Sequence, residues 1–186
     1  MAGDAAGGRH AAPLVKPVCG LLYPKGEPEW RDLAREGLVR IFGAVERESG
    51  SFAFCYTDYY SDISPELSRC FFSFAGLFRP RLVRWKRAAI ALESGSGEGR
   101  PGGTRRINVD PGYLDGARLV LASTKDNAQR IYLACGIFAE VTLCRRKSGW
   151  EGFPHTFPDF ASGIYDAFLE TARQDWRRDI RAAKCI

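Results

Sequence analysis

The chain has 186 residues, 45% hydrophobic and 26% charged, with a formal net charge of +5. That is enough apolar material for one sizeable core, and no stretch approaches the roughly 18 uncharged apolar residues that a membrane-spanning helix needs. Arginine far outnumbers lysine, but the basic residues gather only in "RPRLVRWKR" at 79–87 and "RRDIR" at 177–181, which does not single out a nucleic-acid binder.

The opening, "MAGDAAGGRHAAP", lacks the apolar region of a secretory signal. It reads as a disordered arm over 1–13, ahead of a single α+β domain over 14–186. "PVCGLLY" at 17–23 reads as a buried strand and "PKGEP" as a turn. Trp30, Leu33, Ala34, Gly37, Leu38, Ile41 and Phe42 follow helical spacing, so 28–42 is predicted as a helix with Pro28 in its first turn and Gly43 at its end. "SFAFCYT" at 51–57 alternates like a strand. Ser64-Pro65-Glu66 has the form of a helix start, with Leu67, Phe71, Phe74 and Phe78 as its core stripe. A further helix is predicted from Pro80 to about Glu93. The glycine-rich 94–103 reads as a flexible loop without the ending of a phosphate-binding P-loop.

"RINVDPGYL" at 106–114 carries Arg106, Asn108 and Asp110 on one face of a predicted strand, with Ile107 and Val109 on the other. Asp110-Pro111-Gly112 then fits a tight turn. Segment 115–124 suits either a helix capped by Asp115 or a strand, and the helix is favoured. "RIYLACGIFAEVTL" at 130–143 has the pattern of a hairpin. A three-residue loop, Ala134-Cys135-Gly136, pairs Leu133 with Ile137, Ile131 with Ala139, Tyr132 with Phe138 and Arg130 with Glu140. A two-residue loop would set Ile131 against Glu140. The three-residue register makes Ile131, Leu133, Ile137, Ala139, Val141 and Leu143 the core face. Phe160, Ile164, Phe168, Ala172, Trp176 and Ile180 then define a long helix over 160–183, with Asp159 as its cap.

If the polar strands share a sheet, one face gathers Arg106, Asn108, Asp110, Arg130, Tyr132, Glu140 and Thr142. Such a face is either solvated or a ligand site. The order of "TDYY", "DPGYL", "STK", "RIYL", "GIFAEVTL" and "FPHTFPDF" resembles the domain of unknown function 4416 family, a set of uncharacterised prokaryotic proteins, over roughly residues 14–180. The resemblance rests on Thr57, Tyr59, Tyr60, Asn108, Asp110, Gly112, Tyr113, Lys125, Arg130, Tyr132, Gly136, Glu140, Thr142, Pro158 and Asp159. The chain departs from the family pattern at His155 to Phe160, where members tend to have Trp-Thr-Tyr-Pro-Asp-Tyr, and at "SDISPEL" after "TDYY". The family supplies no activity to carry over.

Chemistry-bearing motifs are few. The only histidines are His10, in the arm, and His155, which reads as a loop or packing residue; with no Cys or His pairing, zinc is not indicated. Asp110 and Glu140 are the carboxylates available to a Mg²⁺ ion. No nucleophile motif and no base-reading GTPase motif occurs. The six cysteines, Cys19, Cys55, Cys70, Cys135, Cys144 and Cys185, form no C-x-x-C pair and read as buried free thiols in a reducing cytoplasm.

The expectation is therefore an α+β fold. Its antiparallel-rich sheet would have about five strands with helices mainly on one face, loosely ferredoxin-like with an insertion at 61–104. The expected function is binding of a small anionic ligand, a nucleotide or phosphorylated metabolite. Arg106, Arg130 and Lys125 would take the charge. Asn108, Asp110, Tyr132, Glu140 and Thr142 would orient it, and Tyr113, Thr57, Tyr59 and Tyr60 would form walls. An RNA-binding module, stacking bases on Tyr132 and Phe138, and an interaction protein without a small ligand are the alternatives. Oligomeric state is not legible.

Overall fold

A computed structural model describes residues 12–98 and 104–184. Its elements run β1 (Lys16–Pro24), α1 (Pro28–Phe42), β2 (Val45–Glu48), β3 (Phe52–Phe54), a 3₁₀ turn (Asp58–Tyr60), β4 (Leu67–Phe74), α2 (Leu82–Gly95), β5 (Asn108–Leu114), β6 (Arg118–Ser123), β7 (Ile131–Ala134), β8 (Ile137–Arg145), β9 (Trp150–Gly152), α3 (Pro158–Ala161) and α4 (Asp166–Lys184). The nine strands form one antiparallel sheet in the order β2-β4-β1-β5-β6-β8-β7, with β3 also on β4 and β9 also on β8. The sheet is thus larger than the five strands expected.

Its two faces are both covered. Leu38 and Phe42 of α1 and Leu82, Trp85 and Ala89 of α2 pack with Cys19, Leu21, Phe72, Phe74, Ile107 and Val109. On the opposite face Phe160 of α3 and Phe168, Leu169 and Ala172 of α4 pack with Val18, Phe71, Leu114 and Leu119. Helices therefore lie on both faces, rather than mainly on one.

This double coverage explains one misreading. Segment 67–74 is the strand β4, buried along its whole length between β1 and β2, and not a helix. Its apolar side chains point both ways, so Leu67, Phe71 and Phe74 mimic helical spacing. With β4 and α2 inside it, 61–104 is no insertion. Segment 115–124 is likewise a strand, β6, and no helix. Asp115 does accept bonds from the backbone N–H groups of Ala117 and Arg118, at 2.9 and 3.0 Å, but in the turn between β5 and β6.

Asp110-Pro111-Gly112 is not a turn. It lies inside β5, with Pro111 opposite Cys19 and Gly112 opposite Val18. The glycine serves a close approach instead: a Cβ there would sit 2.2 Å from the Val120 carbonyl oxygen. The C-terminal helix is also interrupted. Gly163, at φ +78°, separates α3 from α4. At the far end of α2, Ser94 and Gly95 are helical, and Ser96 is buried, its Oγ accepting the Arg106 N–H at 2.9 Å. The start of the expected 94–103 loop is thus ordered structure, and 99–103 lie outside the described residues.

The hairpin pairs Ile131 with Ala139 and Tyr132 with Phe138, as expected, but Ala134 with Ile137. The loop is therefore the two residues Cys135 and Gly136, both at positive φ (54° and 71°). The register shifts between Tyr132 and Ala134, so an irregularity at Leu133 allows the short loop without setting Ile131 against Glu140. β7 is the edge of the sheet, which leaves Ile131 and Leu133 exposed although they were assigned to the core. Val141 and Ala139 are only half-buried, and a second register shift between Leu119 and Val120 in β6 accompanies the passage of Leu143 to the α4 side.

The five described cysteines are free, and only Cys19 and Cys70 are buried; Cys55 and Cys135 are exposed and Cys144 is intermediate. Burial pushes the Cys70 thiol up to about 12.

Candidate ligand cleft between β5 and β6

The site begins where two strands part. β5 pairs with β6 only over Gly112–Leu114. Ahead of Gly112 the strands diverge, and Val109 turns its backbone groups to α2 instead: its N–H is accepted by Glu93 Oε1 at 2.8 Å, and its carbonyl accepts from Lys86 Nζ at 2.7 Å. Pro111, two residues on, has no N–H to lose on that unpaired side. The gap is a cleft of about 110 Å³ whose lining includes Asn108, Asp110, Leu121 to Lys125, Lys86, Glu93 and Arg69.

Strand pairing brings the charged groups together. Arg69 of β4 and Asn108 of β5 stand on either side of Leu22 in β1, and Phe71 and Asp110 on either side of Gly20. Paired residues share a face, so Arg69, Asn108 and Asp110 project on the α3 side while Lys86 and Glu93 enter from α2. Arg69 donates to Asp159 at 2.8 Å and to Asp110 at 3.4 Å. Lys86 Nζ lies 3.6 Å from Glu93 and 3.7 Å from Asp110. Arg105 joins Glu93 at 3.3 Å, the Asn108 side-chain oxygen at 2.9 Å and Asp62 at 3.2 Å. On the far wall Arg130 donates to Glu140 at 2.7 Å and to the Lys125 carbonyl at 3.1 Å.

The electrostatics follow from burial opposed by pairing. Burial by itself would pull the Arg69 pKa down, but Asp159 and Asp110 outweigh it and hold it above the ordinary value. Burial raises the Glu93 carboxyl, and Lys86 and the Val109 N–H oppose that only in part. Among the cleft-lining residues stand five cations (Arg69, Lys86, Arg105, Lys125, Arg130) and four carboxylates (Glu93, Asp110, Glu140, Asp159). Of these cations Lys125 is the one that no carboxylate of the described residues pairs; its Nζ lies 3.2 Å from the centre of the Tyr59 ring. Three polar atoms on lining residues are buried with no hydrogen-bond partner: Arg69 Nε, Asn108 Nδ2 and Thr142 Oγ1.

Eight of the twelve residues singled out from the sequence line this cleft: Tyr59, Tyr60, Asn108, Asp110, Lys125, Arg130, Glu140 and Thr142. The other four do not. Arg106 precedes β5 and bonds Glu27 and the Ile63 carbonyl. Thr57 caps the 3₁₀ turn through the Tyr59 N–H. Tyr113 faces the α2 side of the sheet. Tyr132 is 60% exposed, edge-on to Phe138 at the rim of the sheet. His155 stacks on Phe153, a packing role. Asp110 and Glu140 are both engaged by cations, a poor fit to Mg²⁺, which would have to displace them.

Arg69, Lys86, Glu93, Arg105 and Asp159 were missed. Lys86 and Glu93 carried a signal, because they interrupt the stripe of Leu82, Trp85 and Ala89 that α2 buries. Arg69 stood in a segment misread as a helix, and Asp159 in a supposed cap.

A model of the family described as Domain of unknown function (DUF4416) matches residues 13–176. No curated protein and no solved structure matches the chain. No helix of the described residues is long and apolar enough to cross a membrane. The family match spans both walls of the cleft, from β1 into α4, and on it the chain belongs to the DUF4416 family.

Proposed function

We propose that the β5–β6 cleft binds a small anionic ligand, such as a phosphorylated metabolite or a nucleotide. The observation that carries this reading is the set of buried, unpartnered polar atoms, Arg69 Nε, Asn108 Nδ2 and Thr142 Oγ1, on residues that line one cleft. Two of the three are donors only, and buried donors are normally satisfied. Lys125 adds a positive charge that no carboxylate of the described residues pairs. The cleft volume of about 110 Å³ suits a phosphate- or carboxylate-sized group. The remainder of the ligand would lie against Tyr59 and Phe157, which are 57% and 40% exposed. Helices over the middle of both sheet faces leave no broad stacking platform, and Tyr132 meets Phe138 edge-on at the rim, which favours this enclosed site over base stacking.

The connectivity β1-α1-β2-β4-α2-β5 with spatial order β5-β1-β4-β2 supports a ferredoxin-like reading of the first part of the chain, with β6 to β9 extending the sheet. Free thiols are in keeping with a reducing cytoplasm.

The test is a thermal-shift screen of nucleotides and phosphorylated metabolites, with and without Mg²⁺. A compound that stabilises the protein should bind about 10- to 100-fold more weakly to Asn108→Ala, which removes one donor to a charged group. Lys125→Met should weaken it while leaving the buried pairs intact. Arg130→Ala is a poorer probe, because it also strands Glu140, whose side chain is 4% exposed. Binding that survives Asn108→Ala and Lys125→Met unchanged refutes the proposal.

A further inference from the structure

The basic cluster at 79–87 takes no part in the cleft except through Lys86. Arg81, Arg84 and Arg87 are exposed, and no carboxylate of the described residues lies within 4 Å of them in an ion pair. They border a second, open depression of about 930 Å³ whose floor is apolar, with Leu82, Val120, Leu133 and Ala139. Leu133 belongs to β7, the last strand in the sheet order, so the outer backbone edge of β7 has no neighbouring strand among the described residues. That edge is short and irregular at Leu133, as many natural edges are, but it lacks their other guards. It reads Ile-Tyr-Leu-Ala, without charge or proline, and Ile131, Tyr132 and Leu133 are 69%, 60% and 39% exposed.

We infer that β7 and this groove form a docking site for an extended, acidic segment of a partner protein, which adds a strand to the sheet edge. Each part of the surface has a matching requirement. The free edge offers main-chain hydrogen bonds to an extended chain. The apolar floor takes side chains of one parity of that chain. The three arginines select carboxylates on it. The same charge argues against a second copy as occupant, since this chain is itself net positive at +5. A concave apolar floor beside a strand edge fits a peptide better than a flat bilayer or a nucleic-acid backbone.

The probe is a fluorescein-labelled eight-residue peptide of alternating Val and Glu, with a Val–Lys peptide of equal length as control. Anisotropy is measured against the full chain at low and physiological salt. Three results together support the inference: the Glu peptide binds and the Lys peptide does not, Arg84→Glu/Arg87→Glu weakens binding at least tenfold, and Tyr132→Pro abolishes it by blocking the edge. Both variants alter exposed positions, and circular dichroism confirms that they fold. No binding of the Glu peptide, equal binding of the two peptides, or insensitivity to Tyr132→Pro overturns it. So does a β7-dependent dimer in sedimentation equilibrium, or association with phosphatidylserine vesicles in place of the peptide.

Discussion

Arg69 and Asp159 form an ion pair 2.8 Å long with side chains only 5% and 1% exposed, tying the sheet's β4 to the short α3. The Tyr165 hydroxyl also donates to Asp159, at 3.0 Å. One guanidinium thereby anchors the α3 wall and reaches Asp110 in the cleft, so the fold and the candidate site share a group.

Removing one partner should be far worse than removing both. Asp159→Ala leaves a buried guanidinium short of its closest countercharge and should cost about 3–5 kcal/mol in urea denaturation. Arg69→Met/Asp159→Leu, which replaces the pair by apolar side chains, should cost much less than the sum of the single changes. Additive losses in the double-mutant cycle would show that the two residues are not coupled.

Acid should loosen α4 from the sheet through Asp175. This carboxylate is held below its ordinary range chiefly by its hydrogen bond with Arg47, at 2.8 Å; burial opposes that, and the charges of Arg47 and Arg178 reinforce it. A lowered folded-state value means stability that is present above the unfolded value, about 3.9 for Asp, and is lost as pH falls through the folded one. Asp175→Asn should therefore be less stable than the parent at pH 7, by about 1 kcal/mol given the exposed arginines. The gap should close as pH falls below about 4. Parallel pH–stability curves for the two proteins would refute the assignment.

Gly112→Ala should destabilise by about 1–3 kcal/mol. The added carbon would meet the Val120 carbonyl at 2.2 Å and the Leu121 Cα at 3.1 Å, both backbone atoms of the paired strand. Because the strands part just ahead of Gly112, the substitution should also raise amide exchange in β6. An unchanged melting temperature would contradict the close approach.

Cys135→Asn should stabilise. Cys135 is the non-glycine residue at positive φ among the described residues, and it precedes Gly136 in a two-residue hairpin loop. Asn-Gly is the preferred pair for such loops because Asn tolerates the left-handed region. The expected gain is about 0.5–1 kcal/mol by thermal denaturation. A loss of stability would argue for the three-residue loop instead.

What the sequence determined by itself was local. Pro28 and the 3.6-residue spacing marked α1 at its observed ends, Pro28–Phe42. Alternation and side-chain matching paired Ile131 with Ala139 and set Arg130 beside Glu140, because a strand register one residue off would have put charge on an apolar face. Five of the eight candidates that line the cleft, Asn108, Asp110, Arg130, Glu140 and Thr142, were found by the same period-two logic. Only the tertiary structure decided the rest. Helices on both faces make β4 apolar on both sides, which erases the alternation that would have marked it as a strand and hides Arg69 within it. Pairing with β1 makes Pro111-Gly112 mid-strand residues in place of an apparent turn. The parting of β5 from β6 is likewise a relation between strands, invisible in either one. It also opens the space into which Lys86 and Glu93 reach from a helix 16 to 23 residues away from Val109 along the chain, a distance over which no local periodicity carries information.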